Sequence, residues 1–331
     1  MAAHPEDPRT VAWRPLVATV ALGLGWVLLA LGVAAVLAYA FPSLQLVHRY
    51  AVMAAALIPY GLVAFAGAAI IFATSGRRSV RLVAVLAVAG LVLQLWWARL
   101  YWPATATEPN GPSLTLLTMN MRCDTRGIKD LVALTDRVKP DVVVLQGFYG
   151  ARREALGDVW AELLPYATFH PMPRLPSCGT FVFSRTPLQQ LLATGDAQPV
   201  VRIEGPDGPI VLLPVDLPTP GKGVAPWLDS FTHLGEVVNS YPGASIVAAG
   251  DFNAVREHDP MRRLLADTGP RDAAEVAGRG WAPTFPSRVW HPPLIGLDHV
   301  FVSAGLDAFD IRTQRIPGQE HRALVVRIGR G

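Results

Sequence analysis

The sequence predicts an α/β layered domain preceded by three transmembrane α-helices, and three observations carry that expectation. Over 331 residues, 51% are hydrophobic, 17% are charged and the mean hydropathy is +0.31, too apolar for one soluble domain and opposite to a disordered or acidic-tail chain. The first 102 residues hold three long uncharged stretches. From residue 113 to residue 331, short apolar bursts alternate with helical patterns, as mixed layers of sheet and helix require.

The spans come first. No charged residue lies between Arg14 and His48, and residues 16–41 are an almost continuous apolar run, longer than the roughly 20 residues a spanning helix needs. Residues 50–74 are also uncharged, and Pro59 within them is tolerable in lipid, where neighbouring helices satisfy the freed carbonyl. Residues 82–98 are bracketed by Arg81 and Arg99 and are followed closely by Tyr101 and Trp102, which with Trp96 and Trp97 read as an interfacial aromatic belt. Arg9, Arg14, Arg77, Arg78 and Arg81 mark one side of the membrane and mainly Arg49 the other. That asymmetry places the N-terminus in the cytoplasm and, after three crossings, the remaining domain outside the cell. A cleaved signal peptide is the rival reading of the first run, because Ala38-Tyr39-Ala40 resembles a cleavage site, but the apolar stretch exceeds a usual signal core. With cleavage, two spans remain and the domain is still outside.

Seven arginines against Glu6 and Asp7 give residues 1–102 a net charge of +5, leaving about −2 for the remainder of a chain whose total is +3. The basic pI of 9.0 therefore comes from arginines beside the spans, and the later domain lacks the positive excess of a phosphate-tracking protein. Nucleic acid is disfavoured as a partner. Cys123 and Cys178, the two cysteines, could pair in an oxidising compartment or serve as small buried hydrophobes, and no metal-binding CxxC occurs.

Residues 103–112, with Asn110-Gly111, read as a polar linker, and residues 113–331 are long enough for one sizeable core. Strands are expected at 114–121, 142–145, 180–183, 210–217, 245–249, 297–302 and 321–328, with helices at 128–138, 227–239 and 260–266. Gly250-Asp251-Phe252-Asn253 directly follows one buried strand, so period-two alternation would project the carboxylate and the amide to the same side. A carboxylate can take a proton from water or hold a hard cation, and an amide can steer that water. A local turn or helix cap uses the same residue types.

Company sharpens the motif. Asn120 ends the first strand, Asp298 stands in Gly296-Leu297-Asp298-His299-Val300-Phe301, and His321 stands in Gln319-Glu320-His321-Arg322-Ala323. Between them lie Pro140-Asp141-Val142-Val143-Val144-Leu145-Gln146 and the run from Gly179 through Ser184-Arg185-Thr186-Pro187-Leu188. This ordered set resembles the endonuclease/exonuclease/phosphatase superfamily of DNase I-like, metal-dependent phosphoesterases, over residues 114–328. The resemblance implies a two-sheet sandwich flanked by helices, whose rim binds Mg²⁺ or Mn²⁺ and attacks a phosphate ester with water. It further implies that Asp251 orients or deprotonates the water, that Asn253 and Asn120 hold phosphoryl oxygen and the metal's surroundings, and that His321, paired with Asp298, stabilises the charged transition state.

Three positions depart from the family pattern. Leu145-Gln146-Gly147 replaces Leu-Gln-Glu and so removes the main metal-binding carboxylate. Asp216, in Val215-Asp216-Leu217, stands where the family has a histidine, and Glu320 replaces the Asp before the last histidine. A metal could lie among Asn120, Asp216 and Glu320, or the site could be a relic that binds without turnover. A large gain in turnover from a Gly147→Glu exchange would show that the missing ligand limits the enzyme, and no change would favour compensation by another carboxylate or a dead site. Arg122 offers a phosphate contact or a plain surface salt bridge. Arg256-Glu257-His258-Asp259 reads as the solvated start of a helix rather than a metal cluster, and His299 as packing or rim. Trp281, Trp290 and the Pro-rich residues 283–293 form either a substrate-shaping loop or a loop packed on apolar residues.

Three spans ahead of such a domain are similar to the organisation of the actinobacterial VanJ-type teicoplanin-resistance membrane proteins. That likeness implies a role in the cell envelope or the response to glycopeptide antibiotics, on a membrane lipid-linked phosphate or pyrophosphate. A catalytically inactive binding or sensing domain on the same scaffold is the alternative, and a nuclease facing the exterior the third. Oligomeric state is left open.

Overall fold

The structure, a computed structural model, describes residues 8–102, 111–172, 175–191, 199–288 and 290–330, with side chains from residue 16. Most of the expected 103–112 linker lies outside the described residues. The chain divides into two compact units, Met1–Arg99 and Leu100–Gly331.

In the first unit, two helices, Pro8–Ala40 and Arg78–Trp97, are long and apolar enough to cross a membrane. The expected second span differs: Arg49–Ala55 and Ile58–Thr74 meet at 52°, so a third crossing exists only if this bent pair counts as one. Pro59 lies just past the break, in the first turn of the second segment, where a proline is tolerated but could not continue the hydrogen bonding of the helix before it. Phe65 and Phe72 form the buried centre of this unit with Ala68 and Ala87, and Trp26 meets Phe72 edge-on at 5.1 Å.

The second unit is a two-layered sandwich. Its strands are β1 (Ser113–Asn120), β2 (Val142–Tyr149), β3 (Tyr166–Met172), β4 (Leu175–Ser184), β5 (Leu188–Leu191), β6 (Val200–Gly205), β7 (Gly208–Asp216), β8 (Ser245–Asp251), β9 (Arg271–Asp272), β10 (Asp298–Val302), β11 (Asp307–Arg315) and β12 (Arg322–Gly329). Among the described residues they form two six-stranded sheets, ordered β11-β12-β1-β2-β4-β3 and β5-β6-β7-β8-β10-β9. Period-two alternation sorts each strand into two faces. Leu114, Leu116, Val142, Val144, Leu212, Val247, Ala249, Val300 and Val302 build the core between the sheets. Their neighbours Leu117, Met119, Val143 and Leu145 face outward onto Leu131 and Leu134 of the helix Ile128–Val138 and onto Trp160.

Cys123 and Cys178 are joined in a disulfide, which ties the turn after β1 to β4. The quartet Arg256 to Asp259 does precede a helix, Asp259–Thr268, but it is not solvated. Glu257, His258 and Asp259 are all buried: His258 Nδ1 accepts from the Val255 amide, Asp259 pairs with Arg263, Arg256 pairs with Glu275, and the Tyr101 hydroxyl donates to Glu257. Each charge has a partner in reach, which is what lets the cluster leave water.

Candidate active site

Sheet register delivers the polar residues to one place. On the inter-sheet face, Leu114 and Leu116 are followed in alternation by Thr118 and Asn120, Val144 by Gln146, and Val247 and Ala249 by Asp251. Asn120 lies opposite Gln146, and Asp251 opposite both Asp216 and Asp298. The apolar core therefore gives way to Asn120, Gln146, Asp216, Asp251 and Asp298 at a single lip of the sandwich.

Asp251 is the hub. Its Oδ2 accepts from Asn120 Nδ2 at 2.7 Å and from Asn253 Nδ2 at 3.2 Å, and its Oδ1 accepts from the Asn253 amide at 2.8 Å. Asn253 reaches it differently from the strand alternation expected: β8 ends at Asp251, and Asn253, at φ +47°, turns back in a left-handed conformation while also donating to the Leu217 carbonyl. Asn is among the few side chains that adopt this region readily. The ring of His321 stands between two carboxylates, with Nδ1 2.8 Å from Asp298 Oδ2 and Nε2 3.9 Å from Asp251 Oδ2. Phe285 covers the ring at 5.1 Å, and the Thr284 hydroxyl accepts from the Asp298 amide.

The electrostatics follow from crowding. Burial pushes the Asp216 carboxyl up to about 7, helped by the charges of Asp251 and Asp298 and opposed by His321 and Lys222. Burial likewise raises Asp251, with Asp298 adding to it against His321, the Asn253 amide and Asn120. For His321, burial opposes the charge, but Asp298 and Asp251 outweigh it and push the imidazole up to about 9, so it is a cation at neutral pH. A divalent cation fits this chemistry. Carboxylate oxygens of Asp251 and Asp298 lie within 4.8 Å of each other and of the His321 ring, Asp216 stands opposite Asp251 in the sheet, and Asp298 Oδ1 is buried with no hydrogen-bond partner, so the carboxylates are the ligand candidates and the cationic ring a charge beside them.

Gly147 is not an open socket. It lies at a register shift in β2, at φ +55°, and a Cβ there would stand 2.8 Å from the Arg122 amide nitrogen and 3.0 Å from Asn120 Oδ1. The turn through Arg122 and Cys123, both at positive φ, has closed over that position, held by Met121 N to Gln146 O and Cys123 N to Gly147 O hydrogen bonds. The Gly147→Glu exchange therefore reports backbone strain rather than a restored ligand.

Glu320 and Arg122 form an ion pair with each other, both about half exposed, in a small polar cleft with Asp124 and Arg126. Neither belongs to the buried Asp251, Asp298, His321 group, whereas Asp216 interacts with it directly. Asn120 spends its oxygen on the Arg122 amide and its nitrogen on Asp251, which makes it an orienting group in this state. His299 packs on the opposite face, bound to Asp272 and the Ala254 carbonyl. Sequence reasoning missed Gln146 and Thr118, a buried hydrogen-bonded pair beside Asn120 that strand parity would have located, and Thr284, for which the sequence carries no signal.

A two-sheet sandwich with a buried aspartate–histidine cluster at its lip defines a class of hydrolase-type folds. Residues 117–321 match the model of the Endonuclease/Exonuclease/phosphatase family, and the chain belongs to that family. Comparison with curated protein sequences gives no match. Among solved structures, an endonuclease/exonuclease/phosphatase from Beutenbergia cavernae is similar at 18% identity and TM-score 0.51, over 66% of this chain and 72% of its own. The TDP2 protein of C. elegans matches at 18% and 0.51 over 79% and 83%, and a Bacteroides vulgatus family member at 14% and 0.51 over 66% and 100%. At these identities the likeness is one of fold.

Proposed function

We propose that the chain is a membrane-anchored, extracytoplasmic, metal-dependent phosphoesterase, acting on a lipid-linked phosphate or pyrophosphate of the cell envelope. The observation that carries this reading is the buried Asp251, Asp298 and His321 group, whose excess negative charge suits Mg²⁺ or Mn²⁺. Such an ion, bound through Asp251, Asp298 and Asp216, would supply Lewis-acid charge neutralisation at the phosphoryl oxygens. The chain's own residues supply the rest. Asp251, raised by burial and fixed by three donors, is placed to accept a proton from water. His321, held cationic and oriented by Asp298, meets negative charge as it builds on the phosphoryl group. Arg122 at the rim supports an additional contact to the phosphate. The family and the two apolar helices support the anchored reading, and the likeness in organisation to glycopeptide-resistance proteins supports a role in antibiotic response.

A catalytically silent binding domain is favoured by one observation, the closure of the turn over Gly147. Phosphate release with Mg²⁺ or Mn²⁺ from lipid pyrophosphates, nucleotides and DNA separates the two. Activity abolished by both Asp251→Ala and His321→Ala supports hydrolysis, and activity surviving both discards it.

A further inference from the structure

Seven large hydrophobic residues are exposed in the Leu100–Gly331 unit among the described residues, and three of them belong to one looped stretch of chain: Trp281 (41%), Trp290 (78%) and Leu294 (40%). Paired hydrogen bonds between Phe285 and Ile295 close this loop at its base, which leaves Trp290 at its tip beside the exposed Arg288. One end meets the start of this unit, where the Trp281 ring packs edge-on against Tyr101 at 5.2 Å. The other end is tied to the site, because Phe285 covers His321 and the Ser287 amide donates to the Glu320 carbonyl. A tryptophan left in water at the end of a closed loop is costly, whereas at a headgroup boundary its amphipathic ring is favoured, and a neighbouring arginine suits anionic lipid.

We infer that Trp290 and Leu294 seat in the headgroup layer of a bilayer, bringing the mouth of the site to a lipid surface. A lipid surface is the occupant because the second unit follows directly in the chain on Arg78–Trp97, a helix long and apolar enough to cross a membrane, and because the exposed Arg288 beside Trp290 complements anionic headgroups. This inference rests on the proposed function for its substrate, a phosphate whose leaving or retained group stays in lipid, but not for its contact.

The test uses the full chain in nanodiscs of phosphatidylcholine and phosphatidylglycerol, with or without brominated acyl chains. Emission of wild type minus that of Trp290→Phe isolates Trp290. Bromination is expected to reduce that difference by about half or more. A difference equal in the two lipids overturns the inference, and a partner protein covering the loop would give that same result. Trp290→Ser is further expected to slow turnover of a lipid-anchored phosphate ester about fivefold while sparing a soluble one. Equal loss on both substrates contradicts the link between loop and substrate. Quenching without turnover of either substrate leaves the lipid contact standing and removes the phosphoesterase reading.

Discussion

Asp298 shows how much one buried carboxylate can decide. Its Oδ2 holds His321 Nδ1 at 2.8 Å, and its charge is the leading reason that ring stays protonated despite burial. Asp298→Asn keeps the shape and removes the charge, so kcat is expected to fall about 100-fold or more with KM little changed, as steady-state kinetics would show. Gly147 makes the opposite point. A glutamate there meets backbone at 2.8 Å from a left-handed φ, and urea unfolding should register a loss of about 1–3 kcal/mol with no gain in turnover. The sequence made Asp251, Asp298 and His321 legible, because strand ends carry them and parity fixes their face. It could not show that the turn at Arg122 fills the space of the missing glutamate, since that depends on two consecutive residues at positive φ.

Elements with a strong period were read closely. The helix Ile128–Val138 matches its expected bounds, and β1, β7, β8 and β10 fall within two residues of theirs, because each buries an apolar face. β3 and β5 show little burial and β11 carries charges along a sheet edge, so none has the alternation that marks a strand. The compact second unit starts at Leu100, ahead of the polar linker expected at residues 103–112. Tyr101 lies within it, donating to Glu257, so a domain begun at residue 103 leaves that carboxylate without its hydroxyl. Such a domain is expected to unfold at about 1–3 kcal/mol less than one begun at residue 100. Burial raises the Glu257 carboxyl above its ordinary value, against the Tyr101 hydrogen bond and Arg256. A raised folded-state pKa contributes stability that is complete below the ordinary glutamate range and lost as pH rises through the folded value. Glu257→Gln should therefore become increasingly stable relative to wild type as pH climbs from the ordinary glutamate range, read by thermal melts across pH.

On the scale of the whole molecule, one chain carries the disulfide, the apolar helices and the buried cluster. Cys123–Cys178 closes a loop spanning 55 residues, and its reduction is expected to cost about 2–4 kcal/mol of stability in denaturant titrations. A disulfide forms and persists in an oxidising compartment, which is where the proposed extracytoplasmic placement would put it. The apolar runs made the two long apolar helices legible, while the 52° break just before Pro59 was beyond composition, because a proline in an apolar run is compatible with a straight or a broken helix. The central claim is that buried carboxylates at the sandwich lip gather a divalent ion. Calorimetric titration of the full chain with Mn²⁺ tests it most directly: one ion per chain, lost in Asp251→Asn, is the expected result. Heats absent from wild type, or unchanged by the substitution, would contradict it.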